Sequence, residues 1–292
     1  MAWQQFSVIT DADTAPVLAD FFSDAGAVSV TYMDAEDHPI YEPGIGETVI
    51  WHNTEVIALF ESDAEPALIR SLTHRHFDAE RLQSWRHEQV ADQAWERAWM
   101  AFYQPMKFAD RLWVCPTGQE HHETGCVCLT LDPGLAFGTG THPTTALCLE
   151  WLASQDLTGK IVVDYGCGSG ILAVAAVLLG AKAAHAVDID PQALTATHDN
   201  AAKNKVKDRI HCYLPEHFTP LQADVVVANI LAKPLIELSS SISGLVLDGG
   251  QLVLSGILTE QADAVMAAYA SAVTFAHPVQ QEDWVRLDGK KP

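Results

Sequence analysis

The sequence predicts an α/β protein in which a small mixed domain precedes a larger domain built on a doubly wound parallel sheet. Two observations support this prediction. The first ninety residues have the pattern strand, helix, strand, strand, helix, strand, which is typical of a ferredoxin-like α+β module. From Asp110 onward, short apolar runs alternate with segments of helical periodicity, and this βαβ rhythm is typical of a parallel sheet with helices on both faces.

The four strands of the first domain, residues 1–90, are predicted at WQQFSVIT, AVSVTYM, TEVIALFE and RLQSWRHEQV. The first of these runs alternates as a half-buried strand does. Thr14 is predicted to cap the first helix, with Pro16 in its first turn and Gly26 at its end. The second helix is predicted over AEPALIRSL.

Residues 91–109 are predicted to form a linker helix. Trp95, Trp99 and Phe102 fall on one helical face, and Pro105 ends the helix. Such an aromatic stripe is typical of packing, so we expect this helix to lie against one or both domains.

The second domain, residues 110–292, is predicted to contain the parallel sheet. Its strands are expected at IVVDYG, AHAVDI, RIHCYL, ADVVVANI and GQLVLSG. Asp190 is predicted to cap a helix whose first residue is Pro191. The C-terminal stretch SAVTFAHPVQQEDWVRLDGKK contains two strand candidates with no helix between them, which favours an antiparallel hairpin at the sheet edge.

The composition indicates a soluble, acidic protein. Asp and Glu outnumber Lys and Arg by 38 to 17, so the net charge is −21. Such a surface repels phosphate backbones and anionic lipid, so we expect no direct nucleic-acid or membrane binding. A basic protein would suit it as partner, although from charge alone the better explanation of the acidity is solubility. The six cysteines form no Cys-x-x-Cys pair, which favours reduced thiols and a cytoplasmic location. No secretory signal or membrane span is visible in the sequence, and we expect a monomer.

The stretch VVDYGCGSG is the strongest indication of a ligand site. Gly166, Gly168 and Gly170 follow an apolar strand and precede a helix, where glycines let another group approach the backbone closely. Their spacing does not match the dinucleotide-binding loop, which needs glycine at its sixth position. Asp164 precedes the glycines and would crowd a bound pyrophosphate, whereas a carboxylate suits a cationic ligand.

With its carboxylate, this stretch resembles the first motif of class I S-adenosylmethionine-dependent methyltransferases. S-adenosyl-L-methionine carries an ammonium and a sulfonium and no phosphate, so it fits a site with acids. Asp188 ends the next predicted strand, some twenty residues on, where an acid typically accepts hydrogen bonds from ribose hydroxyls. We predict no nucleophilic role for Cys167, because methyl transfer from a sulfonium needs no enzyme nucleophile.

Asn229, in VVVANILAKP, is the predicted catalytic residue. Methyltransferases that act on amide or aryl amine nitrogen carry Asn-Pro-Pro-aromatic at this place, and the Asn oxygen and a backbone carbonyl accept the N–H bonds of the substrate. Here Ile230 and Leu231 replace the prolines. This departure argues against a planar, conjugated nitrogen and favours an sp³ amine that is presented several times.

The block DPGLAFGTGTHPTT resembles one methyltransferase family closely, the family that modifies large-subunit ribosomal protein eleven. The order of parts agrees with this family over essentially the whole chain. The resemblance implies a seven-stranded Rossmann-like catalytic domain and an N-terminal domain that grips a basic target protein. It also implies transfer of methyl groups, up to trimethylation, to the N-terminal α-amine and to lysine ε-amines of that ribosomal protein.

The resemblance also implies roles for individual residues. Thr145, Gly166, Asp188 and Asn229 would contact S-adenosylmethionine, together with the neighbouring residues of the glycine motif, Asp164, Gly168 and Gly170. Phe137 and Gly140 would line or cover the site.

Three alternatives stay open: another amine or amide methyltransferase of the translation machinery, a nicotinamide-dependent oxidoreductase, and a non-catalytic module that binds S-adenosylmethionine.

No metal is expected at His121 and His122, because adjacent histidines point apart on a strand and no second cluster completes a tetrahedral set. His142 is a candidate general base, but a structural role in the turn explains it equally well.

Overall fold

A computed structural model of the chain describes residues 2–36, 40, 48–91, 104–132, 138 and 140–292. The chain divides into two compact units, Met1–Trp95 and Glu96–Pro292. Each has its own buried apolar core.

The first unit is a four-stranded antiparallel sheet with two helices, in the predicted order of elements. The elements are β1 (Ala2–Asp11), α1 (Thr14–Asp24), β2 (Ser29–Asp34), β3 (Asn53–Phe60), α2 (Pro66–His76), a short 3₁₀ helix (Ala79–Arg81) and β4 (Ser84–Ala91). The strand order across the sheet is β2-β3-β1-β4. Alternate residues of β1 and β3, among them Phe6, Val8, Val56 and Phe60, form the core of this unit with Leu18 and Phe22 of α1.

The start of α1 differs from the prediction. Thr14 is the first helical residue and not the cap. The Asp11 carboxylate accepts a hydrogen bond from the Thr14 backbone N–H over 2.8 Å and so satisfies a donor that the helix leaves free at its beginning. An Asp three residues upstream thus has the role that the sequence pattern assigned to Thr14.

The predicted linker helix at 91–109 lies mostly on residues 92–103, outside the described part of the chain, as do Trp95, Trp99 and Phe102. The described residues of the predicted segment contain strand residues and no helix. Ala91 ends β4, and Met106–Phe108 form a new strand, β5.

The second unit contains a large sheet and a small one. The small sheet, which the sequence did not predict, consists of β5 (Met106–Phe108), β6 (Leu112–Cys115) and β7 (Val127–Thr130). The other strands are β8 (Ile161–Tyr165), β9 (Ala183–Val187), β10 (Ile210–Tyr213), β11 (Ala223–Asn229), β12 (Val246–Leu258), β13 (Thr274–Phe275), β14 (Val279–Gln281) and β15 (Trp284–Lys290). The helices are α3 (Pro143–Ser154), α4 (Ile171–Leu178), α5 (Pro191–Lys203), α6 (Ala232–Glu237), α7 (Ser239–Gly244) and α8 (Ala262–Tyr269).

The large sheet has the order β10-β9-β8-β11-β12-β15-β13, and β14 pairs with β15 as well. Strands β8 to β12 are parallel, and β15 is antiparallel to β12. The predicted C-terminal hairpin is confirmed, since β14 and β15 pair antiparallel. Asp190 caps α5 and Pro191 is its first residue, as predicted.

The two faces of the large sheet are covered by different helices, as a doubly wound fold requires. Successive residues of a strand point to opposite faces. Val162 packs with α3 and α4 in one core cluster, and its neighbour Val163 packs with α6 and α8 in the other. Strand β8 lies between β9 and β11, where the strand order reverses, and in such sheets ligands bind at the carboxyl edge of this point.

Candidate functional site

Most of the predicted site residues lie where β8, β9 and β11 end. The glycine turn follows β8, Asp188 follows β9, and Asn229 is the last residue of β11. Asp164 pairs with both neighbouring strands, opposite Ala186 and Val227. The sheet therefore brings Asp164 and Asn229, which are 65 positions apart in the sequence, to the same edge.

The glycine turn has a backbone that only glycine adopts readily. Gly166, Gly168 and Gly170 have φ angles of +78°, +52° and +74°, in the left-handed region. The close approach that the sequence predicted is made by the protein itself at two of these positions. A Cβ on Gly166 would lie 2.2 Å from Cγ2 of Ile230, and one on Gly170 would lie 2.5 Å from Cγ2 of Thr197.

Asp188 ties β9 to the glycine turn. Its Oδ2 accepts a hydrogen bond from the Gly168 backbone N–H over 2.9 Å, and its Oδ1 accepts from the Asp190 backbone N–H over 3.0 Å. An ionised carboxylate has about four acceptor positions, so each oxygen keeps capacity for a ligand hydroxyl. Ile189, directly after this acid, has 84% of its surface exposed and offers an apolar contact beside the carboxylate.

Asp164 is a buried acid with a free acceptor. Its side chain has no exposed surface, and Oδ2 accepts from the Ala173 backbone N–H over 3.0 Å. Oδ1 has no hydrogen-bond partner among the described residues. Burial raises the pKa of this carboxyl to about 7; the Ala173 N–H opposes the rise, and the charge of Asp188 adds to it. A cationic ligand nearby would favour the ionised form.

Asn229 is held in one orientation by α3. Its Nδ2 donates to Oγ1 of Thr145 over 3.2 Å, and Thr145 is itself completely buried. The Asn229 Oδ1 is buried and has no partner among the described residues. The amide nitrogen thus donates a hydrogen bond within the protein, while the amide oxygen remains available to accept a hydrogen bond.

His142 has a structural role at the start of α3. Its Nδ1 accepts from the Thr144 backbone N–H over 3.3 Å and lies 2.8 Å from the Thr144 hydroxyl, and its ring packs edge-on against Trp284. Burial lowers the pKa of this imidazole, although Glu282 acts in the other direction. The cap supports the helix that carries Thr145.

The loop before α3 is described in part. Phe137 lies outside the described residues. Gly140 is buried with a φ of +88°, and a Cβ there would lie 3.1 Å from Cε of Met106 and 3.4 Å from Cδ1 of Ile171. The Ser169 hydroxyl donates to the carbonyl of Gly138 over 2.6 Å, which fastens this loop to the glycine turn.

Three residues that hold the glycine turn were not predicted from the sequence. Ser169, Thr197 and Asn200 hold the glycine turn by side-chain hydrogen bonds. The available signal was the spacing of Thr197 and Asn200, which puts two polar residues on one face of a predicted helix. Nothing in the sequence indicated that this face meets the glycine turn.

The cysteines, a metal ion and a membrane span were not part of the predicted site. All six cysteines are free, and burial raises the pKa of Cys167 far above its ordinary range. In the described ranges, no group of three His, Cys, Asp or Glu residues is arranged to hold a metal ion. No helix in the same ranges has the length and apolar character needed to cross a bilayer.

Comparison with known proteins agrees with this geometry. A family model described as ribosomal protein L11 methyltransferase (PrmA) matches residues 2–292. The ribosomal protein L11 methyltransferase of Methylococcus capsulatus is 54% identical over 288 residues, which cover 98% of each chain. That of Pseudomonas putida (strain GB-1) is 51% identical over the full length of both chains. The crystal structure of a ribosomal protein L11 methylase from Lactobacillus delbrueckii subsp. bulgaricus superimposes with a TM-score of 0.58 at 29% identity, covering 65% of this chain and 98% of the other. The chain therefore belongs to the ribosomal protein L11 methyltransferase family.

Proposed function

We propose that the edge formed by β8, β9 and β11 is where this chain transfers methyl groups to amines of ribosomal protein L11. The chain is a ribosomal protein L11 methyltransferase by family, and its methyl donor is S-adenosylmethionine. The observation that carries the proposed site is the Asn229 amide, whose nitrogen is bound to Thr145 and whose oxygen is buried without a partner.

The residues at this edge fit such a donor. Asp164 has an unpartnered buried oxygen that suits a cation, and Asp188 keeps acceptor capacity for ribose hydroxyls. Ile189 offers exposed apolar surface for a flat ring. We therefore assign donor binding to these residues together with Thr145, Gly166, Gly168, Gly170 and Asn229, and to Phe137 and Gly140 of the loop before α3. When bound, the donor supplies a methyl group activated by its attachment to a sulfonium.

Asn229 is proposed to orient the acceptor amine. Its Oδ1 can accept an N–H bond of the amine, which turns the nitrogen lone pair in a defined direction. Positioning of this kind contributes several kcal/mol to catalysis. Ile230 replaces the proline of the amide-modifying enzymes, and its side chain fills the space that Gly166 leaves.

The amine must lose a proton before it reacts. Free lysine has a pKa near 10.4 and an α-amine near 8. Transfer from water into a site with few polar partners lowers both values, because desolvation disfavours the charged form. A dedicated general base is then unnecessary, which agrees with the structural role of His142.

The proposed substrates are the N-terminal α-amine and lysine ε-amines of L11, up to the trimethylated state. Residues 1–90 are proposed to grip the target, and 110–292 to carry the chemistry. The net charge of −21 supports a basic protein as partner. It also supports the absence of direct nucleic-acid contact, and we propose a cytoplasmic monomer.

Replacement of Asn229 tests the proposed site. N229A removes the acceptor oxygen, so we expect kcat on L11 to fall by about a hundredfold, the cost of poorly positioned reactants. The measurement is methyl incorporation into purified L11, followed by mass spectrometry of each modified residue. N229D, which keeps an oxygen but loses the donor to Thr145, should retain part of the rate. An unchanged kcat in N229A would show that Asn229 does not orient the amine. Methyl incorporation into another ribosomal protein instead of L11 would favour the alternative that the chain modifies a different protein of the translation machinery.

A further inference from the structure

Helix α5 fastens two successive peptide groups of the glycine turn. The Thr197 hydroxyl donates to the carbonyl of Gly168 over 3.1 Å. One turn further along the helix, Asn200 Nδ2 donates to the carbonyl of Ser169 over 2.9 Å. Both residues lie on the same face of the helix, because they are three positions apart.

Thr197 uses its hydroxyl in an unusual way for a helical threonine. A threonine in a helix commonly donates back to the carbonyl four residues earlier, and Thr195 does this to Pro191 over 3.0 Å. Thr197 instead donates out of the helix, to the turn. It is completely buried, and its side chain occupies the space that the missing Cβ of Gly170 leaves.

The contact from Thr197 determines where the Ser169 backbone N–H points, and the contact from Asn200 holds the next peptide group, whose Gly170 N–H donates to the carbonyl of Cys167 over 2.7 Å. In a trans peptide, the C=O of one residue and the N–H of the next point to opposite sides. Since the Gly168 carbonyl is bound to Thr197, the Ser169 N–H points away from α5. This N–H has no acceptor among the described residues, and only 5% of the surface of Ser169 is exposed. A buried N–H normally finds an acceptor, so a ligand is the natural partner.

We propose that Thr197 and Asn200 are positioning residues for the methyl donor: they orient the glycine turn so that the Ser169 N–H is presented to an acceptor oxygen of the donor. The inference rests on the proposed function of this edge of the sheet. It adds two residues on a different helix, neither of which is needed to touch the donor itself.

Conservative replacements at Thr197 test the proposal. T197V keeps the shape that fills the space at Gly170 and removes the hydroxyl, which contacts the Gly168 carbonyl and, over 3.4 Å, the Cys167 Sγ of the same turn. We expect the Kd of S-adenosylmethionine, measured by calorimetry, to rise about tenfold, because a lost hydrogen bond leaves the Gly168 carbonyl free to turn. The KM for the donor should rise equally, while kcat at saturating donor and the KM for L11 stay within about twofold. T197S, which restores the hydroxyl, should recover most of the affinity, and N200A should act in the same direction as T197V.

The matched control is T195V, the same chemical change two residues away on the same helix. We expect donor affinity within about twofold of the wild type, because the Thr195 hydroxyl binds only its own helix. Thermal unfolding of each variant reports on the fold. A folded T197V and a folded N200A with unchanged Kd, or an equal loss in T195V, would overturn the inference.

D188A, measured in parallel, separates this inference from the proposed function. If D188A binds the donor as the wild type does, the donor site itself is elsewhere and both proposals fail. If D188A loses affinity and T197V does not, only the role of Thr197 and Asn200 is refuted.

Discussion

At the scale of single residues, the candidate site contains two buried side-chain oxygens that have no hydrogen-bond partner among the described residues. Buried polar groups are nearly always hydrogen-bonded, yet Asp164 Oδ1 and Asn229 Oδ1 have no partner in the described part of the chain. Both residues were predicted from the sequence, Asp164 from its place before the glycines and Asn229 from its place at a strand end. Their free oxygens could not be predicted, because burial and hydrogen bonding depend on which groups surround them after folding.

The pH dependence of unfolding tests the state of Asp164. Its pKa is raised from 3.8 to about 7 in the folded protein without donor, so the folded protein holds a proton that the unfolded chain releases near pH 4. The stabilising contribution of this carboxyl is full below about pH 4 and is lost as the pH rises to about 7. Replacement by the neutral isostere D164N removes this loss. The free energy of unfolding of D164N minus that of the wild type should therefore be about 2–3 kcal/mol larger at pH 8 than at pH 5.

This difference is measured by denaturant unfolding of both proteins at each pH without donor. Titrating groups that do not interact with Asp164 contribute equally to the two proteins and cancel in the difference. Parallel stability curves for D164N and the wild type would show that Asp164 ionises normally. With donor present, D164N should bind it less tightly than the wild type at pH 8, because the charge opposite the cation is missing.

At the scale of elements, the turn from β8 to α4 depends on side chains from two other elements. Ile230, after β11, fills the space at Gly166, and Thr197 of α5 fills the space at Gly170. The sequence predicted the strand, the turn and the helix, because apolar runs and glycines are local signals. It attributed the close approach to a ligand alone, since no local pattern shows which distant side chain packs against a turn.

Replacing Gly170 tests this packing. G170A introduces a Cβ in a backbone with φ of +74° and within 2.5 Å of Thr197. The matched control is G159A, where φ is also +74° and no heavy atom lies within 4 Å of the new Cβ. Both variants bear the backbone strain, so their difference isolates the overpacking, which typically costs 1–3 kcal/mol. We expect G170A to unfold at lower urea concentration than G159A, and equal midpoints would contradict the contact.

The small sheet of β5, β6 and β7 could not be predicted from local sequence patterns. Its strands have three or four residues each, too few to show an alternation. They are held by tertiary contacts: Asn204, after α5, binds both the N–H and the carbonyl of Thr130 over 2.8 Å. Phe108, Leu112 and Leu129 enter the core cluster of the large sheet.

At the scale of the whole molecule, the two compact units each contain a separate core. Among the described residues, those of the first core all belong to Met1–Trp95, and those of the two clusters around the large sheet all belong to Glu96–Pro292. All the described site residues lie in the second unit. A unit with its own core can fold by itself, so we expect the proposed donor binding and the proposed gripping of the target to be separable.

Removal of residues 1–95 tests this separation. We expect residues 96–292 to bind S-adenosylmethionine with a Kd within about threefold of the full chain, since no described site residue is lost. Methylation of L11 by the same fragment should fall below detection, because the proposed gripping unit is absent. Calorimetry gives the first quantity and methyl incorporation into L11 gives the second. Efficient methylation of L11 by the fragment would place target recognition in the second unit.

The sequence alone determined the order of the main elements, the acid and glycine positions of the candidate site, and the resemblance that the family match confirmed. These features are local: periodicity, capping, turn residues and motif spacing lie within short stretches of chain. The tertiary structure decided which atoms at the site are satisfied and which are free, that Thr145 orients Asn229, and that α5 holds the glycine turn. Those features depend on contacts between residues about 30 to 84 positions apart, and such contacts exist only after the sheet has brought its strand ends together.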